Sequence, residues 1–199
     1  MYGLPQNTLI NKPLYKKAVF EKFNLKAAER DRFDADISRM ALVARVSSVT
    51  VPALTKGKET EGFYVLQVVL KRKDYDSKNI LMLQKLIPQK MVFAMQLEEQ
   101  TQFCIFHTRL QQSEWMLTSE AAIPLQGLTL DDVWNNIVAI IGGLDTQAEE
   151  SIEEQIINRE QREKLLRQIE SLEKQCRIEK QTRRKYELHQ QIVKLKEQL

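Results

Sequence analysis

Apolar and polar residues follow helix and strand patterns in turn along the first 143 residues, as in a mixed α/β domain. Apolar side chains at helical spacing predict a helix over 15–37, and Asn24 is suited to cap a second, shorter helix inside it. A strand is predicted over 40–46. Another is predicted over 63–70, where almost every residue is apolar, as in a central strand covered on both faces.

Turn and stop signals order the rest of this part of the chain. The loop 56–62 is polar and is expected to be mobile. Asp76 or Ser77 caps a predicted helix that Pro88 ends after Ile87. The remaining predicted elements are a hairpin of strands 91–97 and 102–107, a strand near 115–119, and a helix from Asp131 to Ile141 that Gly142 and Gly143 end. Residues 1–143 are therefore predicted to form an α+β domain, a sheet with helices.

The composition changes after Gly143, and residues 144–199 are predicted to form a long, charged helical arm without glycine or proline. Two apolar runs with alternating 4-3-4 spacing lie in this arm, out of phase with each other. The arm is therefore either a hairpin of two helices or one helix with a skip, and the absence of a turn residue favours the single long helix. The first run is Leu165, Ile169, Leu172 and Cys176, and the second is Leu188, Ile192, Leu195 and Leu199.

The net charge of +3 and the pI of 8.8 are weaker than the electrostatic signature of a dedicated nucleic-acid binder. Basic residues nevertheless cluster after the central strand and in the arm. The candidates for nucleic-acid contact are Lys71, Arg72, Lys73 and Arg183. The alternative for the arm is antiparallel pairing of its acidic start, 145–154, with its basic end.

Motifs for metal, cofactor or nucleophilic chemistry are absent from the sequence, so no catalytic, cofactor-binding or metal-binding residue is assigned. Cys104 and Cys176 are isolated thiols, which suits a reducing compartment. No apolar run approaches the roughly 18 residues of a membrane span, and no signal peptide is visible. The expectation is a soluble, cytoplasmic protein with no membrane partner.

A metal-dependent nuclease is the one enzymatic alternative. Acidic residues of the first helical segment, including Asp34, would have to meet Lys71 and Asp74 at the end of the central strand to hold a divalent ion. The central strand carries Gln67 where such a site calls for an acid. The acidic residues of the helix fit a solvated face better.

Several short segments resemble an uncharacterised prokaryotic family, domain of unknown function 4391. They are Gly3-Leu4-Pro5, Asn7-Thr8, Asn11-Lys12, Lys16-Lys17 with Phe20, Val65 to Lys71, Leu86-Ile87-Pro88 with Val92-Phe93, Leu128 to Asp131, and Glu179-Lys180-Gln181 with Arg184-Lys185 and Glu187-Leu188. Arg45 and Gln84 depart from the pattern of the family. The resemblance implies a bacterial or archaeal protein encoded beside DNA methyltransferases, helicases and other phage-defence genes, and it implies no catalytic residues.

The function expected from these patterns is that of a non-catalytic accessory subunit in an anti-phage defence or restriction-modification system. Its arm would dock a methyltransferase, a helicase or a second copy of the chain, with DNA contacted directly or through the complex. The alternative is a nuclease-like or DNA-binding domain that acts directly on DNA. The candidate partner-binding residues are Leu165, Ile169, Leu172, Glu179, Lys180, Gln181, Arg184, Lys185, Leu188, Ile192 and Leu195.

Overall fold

A computed structural model describes residues 1–145 and 150–198 of the chain. The chain divides into two compact units, Met1–Gln147 and Ala148–Leu199. The first unit contains a mixed β-sheet with α-helices, and the second consists of helices. The predicted α+β class with a C-terminal helical arm is therefore confirmed.

Strands and helices alternate irregularly through the first unit. In chain order the elements are β1 (Leu9–Leu14), α1 (Lys16–Lys22), α2 (Ala27–Asp36), β2 (Ile37–Ser47), β3 (Gly62–Leu70), α3 (Lys78–Leu86), β4 (Met91–Leu97), β5 (Gln100–His107), β6 (Arg109–Gln112), β7 (Met116–Leu117) and α4 (Leu130–Gly142). The second unit contains α5 (Ile152–Ile178) and α6 (Thr182–Lys196).

The strands form one sheet in the order β1-β2-β3-β4-β5-β6, with β7 also paired to β5. β3 and β4 run parallel, and α3 makes the long connection that a parallel pair needs. The pairs on either side of them are antiparallel. The predicted central position of β3 and the predicted hairpin of β4 and β5 are both confirmed.

The helical stretch predicted over 15–37 consists of two helices, as the expected second helix requires, but the role predicted for Asn24 is wrong. α1 ends at Lys22, and Asn24 adopts a left-handed conformation with φ 47°, which asparagine tolerates better than most residues. Asn24 therefore breaks the helix and does not cap the next one. The N-cap of α2 is Lys26, whose backbone N–H donates to Glu29 Oε2 at 2.8 Å.

Two strands have no apolar pattern that would have predicted them. β1 is an edge strand whose six residues are all exposed or half-buried. β6 consists of Arg-Leu-Gln-Gln and follows Thr108, whose φ of 58° allows a very tight reversal after β5. The backbone hydrogen bonds of the sheet, and not side-chain burial, specify these two elements.

The sheet is covered on both faces. One face packs against α1, α2 and α3 through a buried apolar cluster. On the other face the Trp134 ring of α4 lies 5.7 Å from the Phe63 ring of β3, and the Tyr2 ring meets the Phe103 ring edge-on at 5.5 Å. α4 ends as predicted at Gly143, which has φ 58°.

The arm is a hairpin of two helices, so the single long helix favoured by the sequence is wrong. α5 ends at Ile178, α6 begins at Thr182, and the two helices pack against each other. Lys196 Nζ near the end of α6 lies 2.7 Å from Glu173 Oε1 of α5, which shows that the helices are antiparallel. Leu199, the last residue of the second apolar run, lies outside the described residues.

Candidate functional site

The turn of the hairpin is built around the carboxylate of Glu179, without glycine or proline. Glu179 Oε1 accepts hydrogen bonds from the backbone N–H groups of Lys180 at 2.8 Å and Gln181 at 2.9 Å. Glu179 Oε2 lies 3.7 Å from Arg184 Nε. The backbone donors, chiefly Gln181, lower the pKa of the Glu179 carboxyl. Glu179-Lys180-Gln181, which begins one of the segments that resemble the family, therefore reverses the chain between α5 and α6.

The apolar candidates of the arm lie on the faces where α5 and α6 approach each other. Ile169 and Ile192 are buried, and Cys176 Sγ donates to the backbone oxygen of Lys185 at 3.7 Å. The remaining apolar candidates, Leu165, Leu172, Leu188 and Leu195, are half-buried. The opposite phases of the two apolar runs are explained by their positions on two separate helices.

The outer side of α6 presents a second, smaller apolar surface. Tyr186 is 64% exposed and Val193 is 38% exposed, and these positions lie seven residues apart on one helix face. Gln190 lies between them and donates through Nε2 to the Tyr186 hydroxyl at 3.0 Å. We call Tyr186, Gln190 and Val193 the outer face of α6.

The basic segment after β3 is anchored by a buried carboxylate. Asp36 is 1% exposed, and its Oδ1 accepts a hydrogen bond from Arg72 Nε at 2.5 Å. Asp36 Oδ2 accepts from the Asp76 backbone N–H at 2.9 Å and from Asn79 Nδ2 at 2.8 Å. Asp36 therefore ties the end of α2 to the loop between β3 and α3, and Arg72 is part of that connection.

The other candidates for nucleic-acid contact differ in their surroundings. Lys73 Nζ lies 5.2 Å from the centre of the Trp115 ring and 3.4 Å from Gln100 Oε1. Lys71 is exposed, and Arg183, in the arm, lies 3.3 Å from Glu187 Oε1. Contact of these residues with nucleic acid stays a prediction.

Two carboxylates of the first helical segment, which the nuclease alternative would draw on, have separate partners. Asp34 Oδ1 pairs with Lys16 Nζ at 2.5 Å, whereas Asp36 binds Arg72. Within residues 1–145 and 150–198, no group of three or more His, Cys, Asp or Glu side chains is placed to hold a metal ion.

A cleft of about 640 Å³ opens on the α1–α3 face of the sheet, at the end where β3 begins. Its lining includes the side chains of Lys12, Arg45 and Tyr64 from β1, β2 and β3, together with Ile87 beyond α3. The Arg45 guanidinium lies over the Tyr64 ring, 5.8 Å from its centre. Sequence analysis did not identify this cleft, and the only signal available was an arginine inside an apolar strand.

An irregularity in β2 places Arg45 in this cleft. Leu42 pairs with Leu66, but Ala44 pairs with Val65, so Val43 is an extra residue in β2. Because paired residues lie on the same face, Arg45 shares the face of its partner Tyr64 and of Leu42. Strict alternation would have turned Arg45 to the opposite face. β1 has a similar shift between Leu9 and Lys12, and Lys12 pairs with Leu42.

The loop expected to be mobile is held by the start of α4. The backbone N–H of Lys58 donates to Asp131 Oδ2 at 2.6 Å, and the N–H of Glu59 lies 3.3 Å from both carboxylate oxygens. A Cβ atom on Gly57 would meet the carboxylate of Asp131, so a larger residue at this position would displace that side chain. These contacts give the loop a defined position, and its mobility stays a prediction.

The two cysteines are free thiols, as expected. Burial raises the pKa of Cys104 to about 11, although Tyr75 and Gln112 hydrogen-bond to its sulfur. Cys104 is therefore protonated at neutral pH and is a poor nucleophile. The Tyr75 hydroxyl donates to Gln102 Oε1 at 2.8 Å, and burial also raises the pKa of Tyr75. This group of side chains stabilises the packing of α3 and its preceding loop on β5.

Within the described residues, no helix combines the length and the apolarity that crossing a lipid bilayer requires. No curated protein and no solved structure matches the chain. One family model does match, and it covers residues 2–199, which is essentially the whole chain and includes both the sheet unit and the hairpin. The chain therefore belongs to the family described as a domain of unknown function, DUF4391.

Proposed function

We propose that this protein is a non-catalytic accessory subunit that binds a protein partner through its helical hairpin, in the cytoplasm of a prokaryotic cell. The observation that carries the proposal is the outer face of α6. A tyrosine and a valine that are 64% and 38% exposed sit on one face of a helix whose other apolar residues are already buried or half-buried. Exposed apolar side chains grouped in this way are typical of interaction sites.

The hairpin is suited to this task because its fold does not depend on the outer face. Ile169 and Ile192 supply its buried contacts, and Glu179 closes its turn. Tyrosine is enriched at the centres of protein interfaces because it buries a large ring and loses little conformational entropy. The residues of the two apolar runs would hold the hairpin together, and Tyr186 and Val193 would meet the partner.

We propose that the partner is a DNA methyltransferase or helicase of a defence or restriction-modification system, or a second copy of the chain. The support for this context is what the resemblance to the family implies. The charged residues around the turn, Lys180, Arg184 and Lys185, are exposed. They would set the orientation of the partner, since charges at the rim of an interface act chiefly on specificity and association rate.

The test combines size-exclusion chromatography with light scattering. The full chain is measured alone and after co-expression with the methyltransferase or helicase encoded beside it. The expected result is a defined complex or dimer that Tyr186→Ala with Val193→Ala weakens at least tenfold, which corresponds to about 1.4 kcal/mol.

The matched control is Glu163→Ala with Lys164→Ala, which changes two exposed positions of α5. This control is expected to leave the complex intact, and circular dichroism verifies that both double variants keep their helices. A chain that stays monomeric alone and binds neither neighbour would refute the proposal. So would a complex that tolerates the loss of Tyr186 and Val193.

A further inference from the structure

The cleft on the sheet unit contains cations without acidic partners. Among the described residues, neither Lys12 nor Arg45 forms an ion pair, whereas Glu61, also at the cleft, is paired with Lys56. The one acidic group in the lining is therefore neutralised by its neighbour. Two positive charges remain to attract an anion.

Arg45 is oriented in a way that leaves its donors available. The guanidinium lies over the Tyr64 ring, and Tyr64 is the direct cross-strand neighbour of Arg45. Arg45 is exposed, and among the described residues its guanidinium has no hydrogen-bond or ion-pair partner, so its N–H groups are available to a ligand. Two parallel N–H donors match the oxygens of a phosphate group, and this pairing is among the strongest that a side chain makes.

The remaining walls of the cleft are apolar. Ile10, Leu42 and Ile87 line it together with the ring of Tyr64. The volume of about 640 Å³ falls inside the roughly 300–1,000 Å³ range of small-molecule sites. A ligand that fills this cleft needs an anionic group at Lys12 and Arg45 and a flat, largely apolar group against the isoleucines and the tyrosine.

We propose that the cleft binds a nucleotide unit, with its phosphate at Arg45 and Lys12 and its base against Tyr64 and Ile87. The nucleotide unit comes either from a free nucleotide or from a single-stranded nucleic acid, because both present the same phosphate and the same base. Base stacking on aromatic side chains combined with cations along the backbone is a general mode of single-strand recognition. The site is distinct from Lys71 to Lys73, which follow the opposite end of β3.

The placement of Arg45 by an extra residue in β2 supports the proposal. A bulge interrupts the hydrogen bonding between two strands, and here it turns a charged side chain into a concave surface. Gln84 contacts a residue of the cleft lining, because its Nε2 donates to the backbone oxygen of Gln89. The Oε1 atom of Gln84 is buried and has no hydrogen-bond partner among the described residues.

The experiment measures binding of three probes to the full chain by isothermal titration calorimetry. The probes are adenosine monophosphate, inorganic phosphate and a short single-stranded oligodeoxyadenylate. The variants are Arg45→Gln and Lys12→Gln, and the control is Lys22→Gln, an exposed lysine outside the cleft. Arg45→Gln is expected to weaken binding at least tenfold, and Lys22→Gln is expected to change it less than twofold. Thermal unfolding verifies that each variant is folded.

The probes also separate the two sources of the nucleotide. If adenosine monophosphate binds and Arg45→Gln weakens that binding, the ligand of the cleft is a free nucleotide. If only the oligonucleotide binds, with an affinity that Arg45→Gln and added salt both lower, the ligand of the cleft is a single-stranded nucleic acid. The proposal is overturned if no probe binds, if inorganic phosphate binds as tightly as the nucleotide, or if Arg45→Gln and Lys12→Gln bind like the unchanged chain.

Discussion

Asp131 shows how one carboxylate can order a loop that looks unstructured in the sequence. The hydroxyl of Thr60 and the backbone N–H groups of Glu59 and Lys58 donate to this carboxylate and lower its pKa. A hydrogen-bonded carboxylate is stabilised in its charged form, which is the cause of the lower pKa. The ionised carboxylate of Asp131 therefore contributes to holding the loop before β3 in its position.

We expect the anchoring of this loop to be lost in acid. Because the pKa of Asp131 is lower in the folded than in the unfolded chain, its contribution to stability is complete above the unfolded value of about 3.9. It disappears as the pH falls through the lower folded value. Hydrogen exchange of the Lys58 and Glu59 amides, measured between neutral and acidic pH, is expected to accelerate over that interval.

The control for this prediction is Asp131→Asn, which keeps the size of the side chain and removes the charge. In this variant the two amides are expected to exchange faster already at neutral pH, without the acidic transition. Equal protection of Lys58 and Glu59 in both proteins would show that something else holds the loop.

Some single-residue features could be predicted from the sequence, and others could not. The Gly143 stop and the start of α4 were predictable because glycine and capping residues act locally. The burial of Asp36 and the position of Arg45 over the Tyr64 ring were not predictable. Each depends on residues far away in the sequence, and in the case of Arg45 on a bulge that reverses the expected face.

Among the elements, the hairpin of α5 and α6 shows why periodicity alone was ambiguous. Two apolar runs in different phases are compatible with a skip or with two helices. The reversal depends on Glu179, whose carboxylate accepts the backbone N–H groups of Lys180 and Gln181 in a turn that contains no left-handed residue. The strands β1 and β6 were missed for the related reason that edge strands need little apolar surface.

At this scale we expect the stability of the hairpin to depend on its buried isoleucines. Ile192→Ala is expected to lower the free energy of unfolding of the hairpin by about 2–3 kcal/mol, because it leaves a cavity at a position that is 5% exposed. Val193→Ala, its exposed neighbour, is expected to cost about 0.5 kcal/mol or less. Native-state hydrogen exchange of α5 and α6 amides measures both values.

A large effect of Val193→Ala on the protein alone would contradict this assignment. It would mean that the outer face of α6 is already covered in the free protein, and the proposed partner site would lose its support.

For the whole molecule, the sheet unit contains a hydrophobic core of its own. All residues of the cluster between the sheet and α1, α2 and α3 come from this unit, and Trp134 of α4 covers the other face. A core of this kind is the main requirement for independent folding.

We therefore expect a chain that ends at Asp145 to fold without the arm. It should unfold in one cooperative transition, with a free energy in the usual range of about 5–15 kcal/mol, in urea titrations followed by tryptophan fluorescence. The emission wavelength of the folded full chain is the reference for the folded truncated chain. A truncated chain that lacks a cooperative transition would show that the hairpin is needed to complete the fold.

The parallel pairing of β3 with β4 has a consequence for folding kinetics. β4 and β5 are joined by two residues, so their association closes a very short loop and is fast. β3 can reach β4 only after the chain from 71 to 90, with α3 inside it, has folded back across the sheet. We expect this long-range closure to belong to the rate-limiting barrier, so that substitutions in α3 slow folding more than substitutions in the β4–β5 turn.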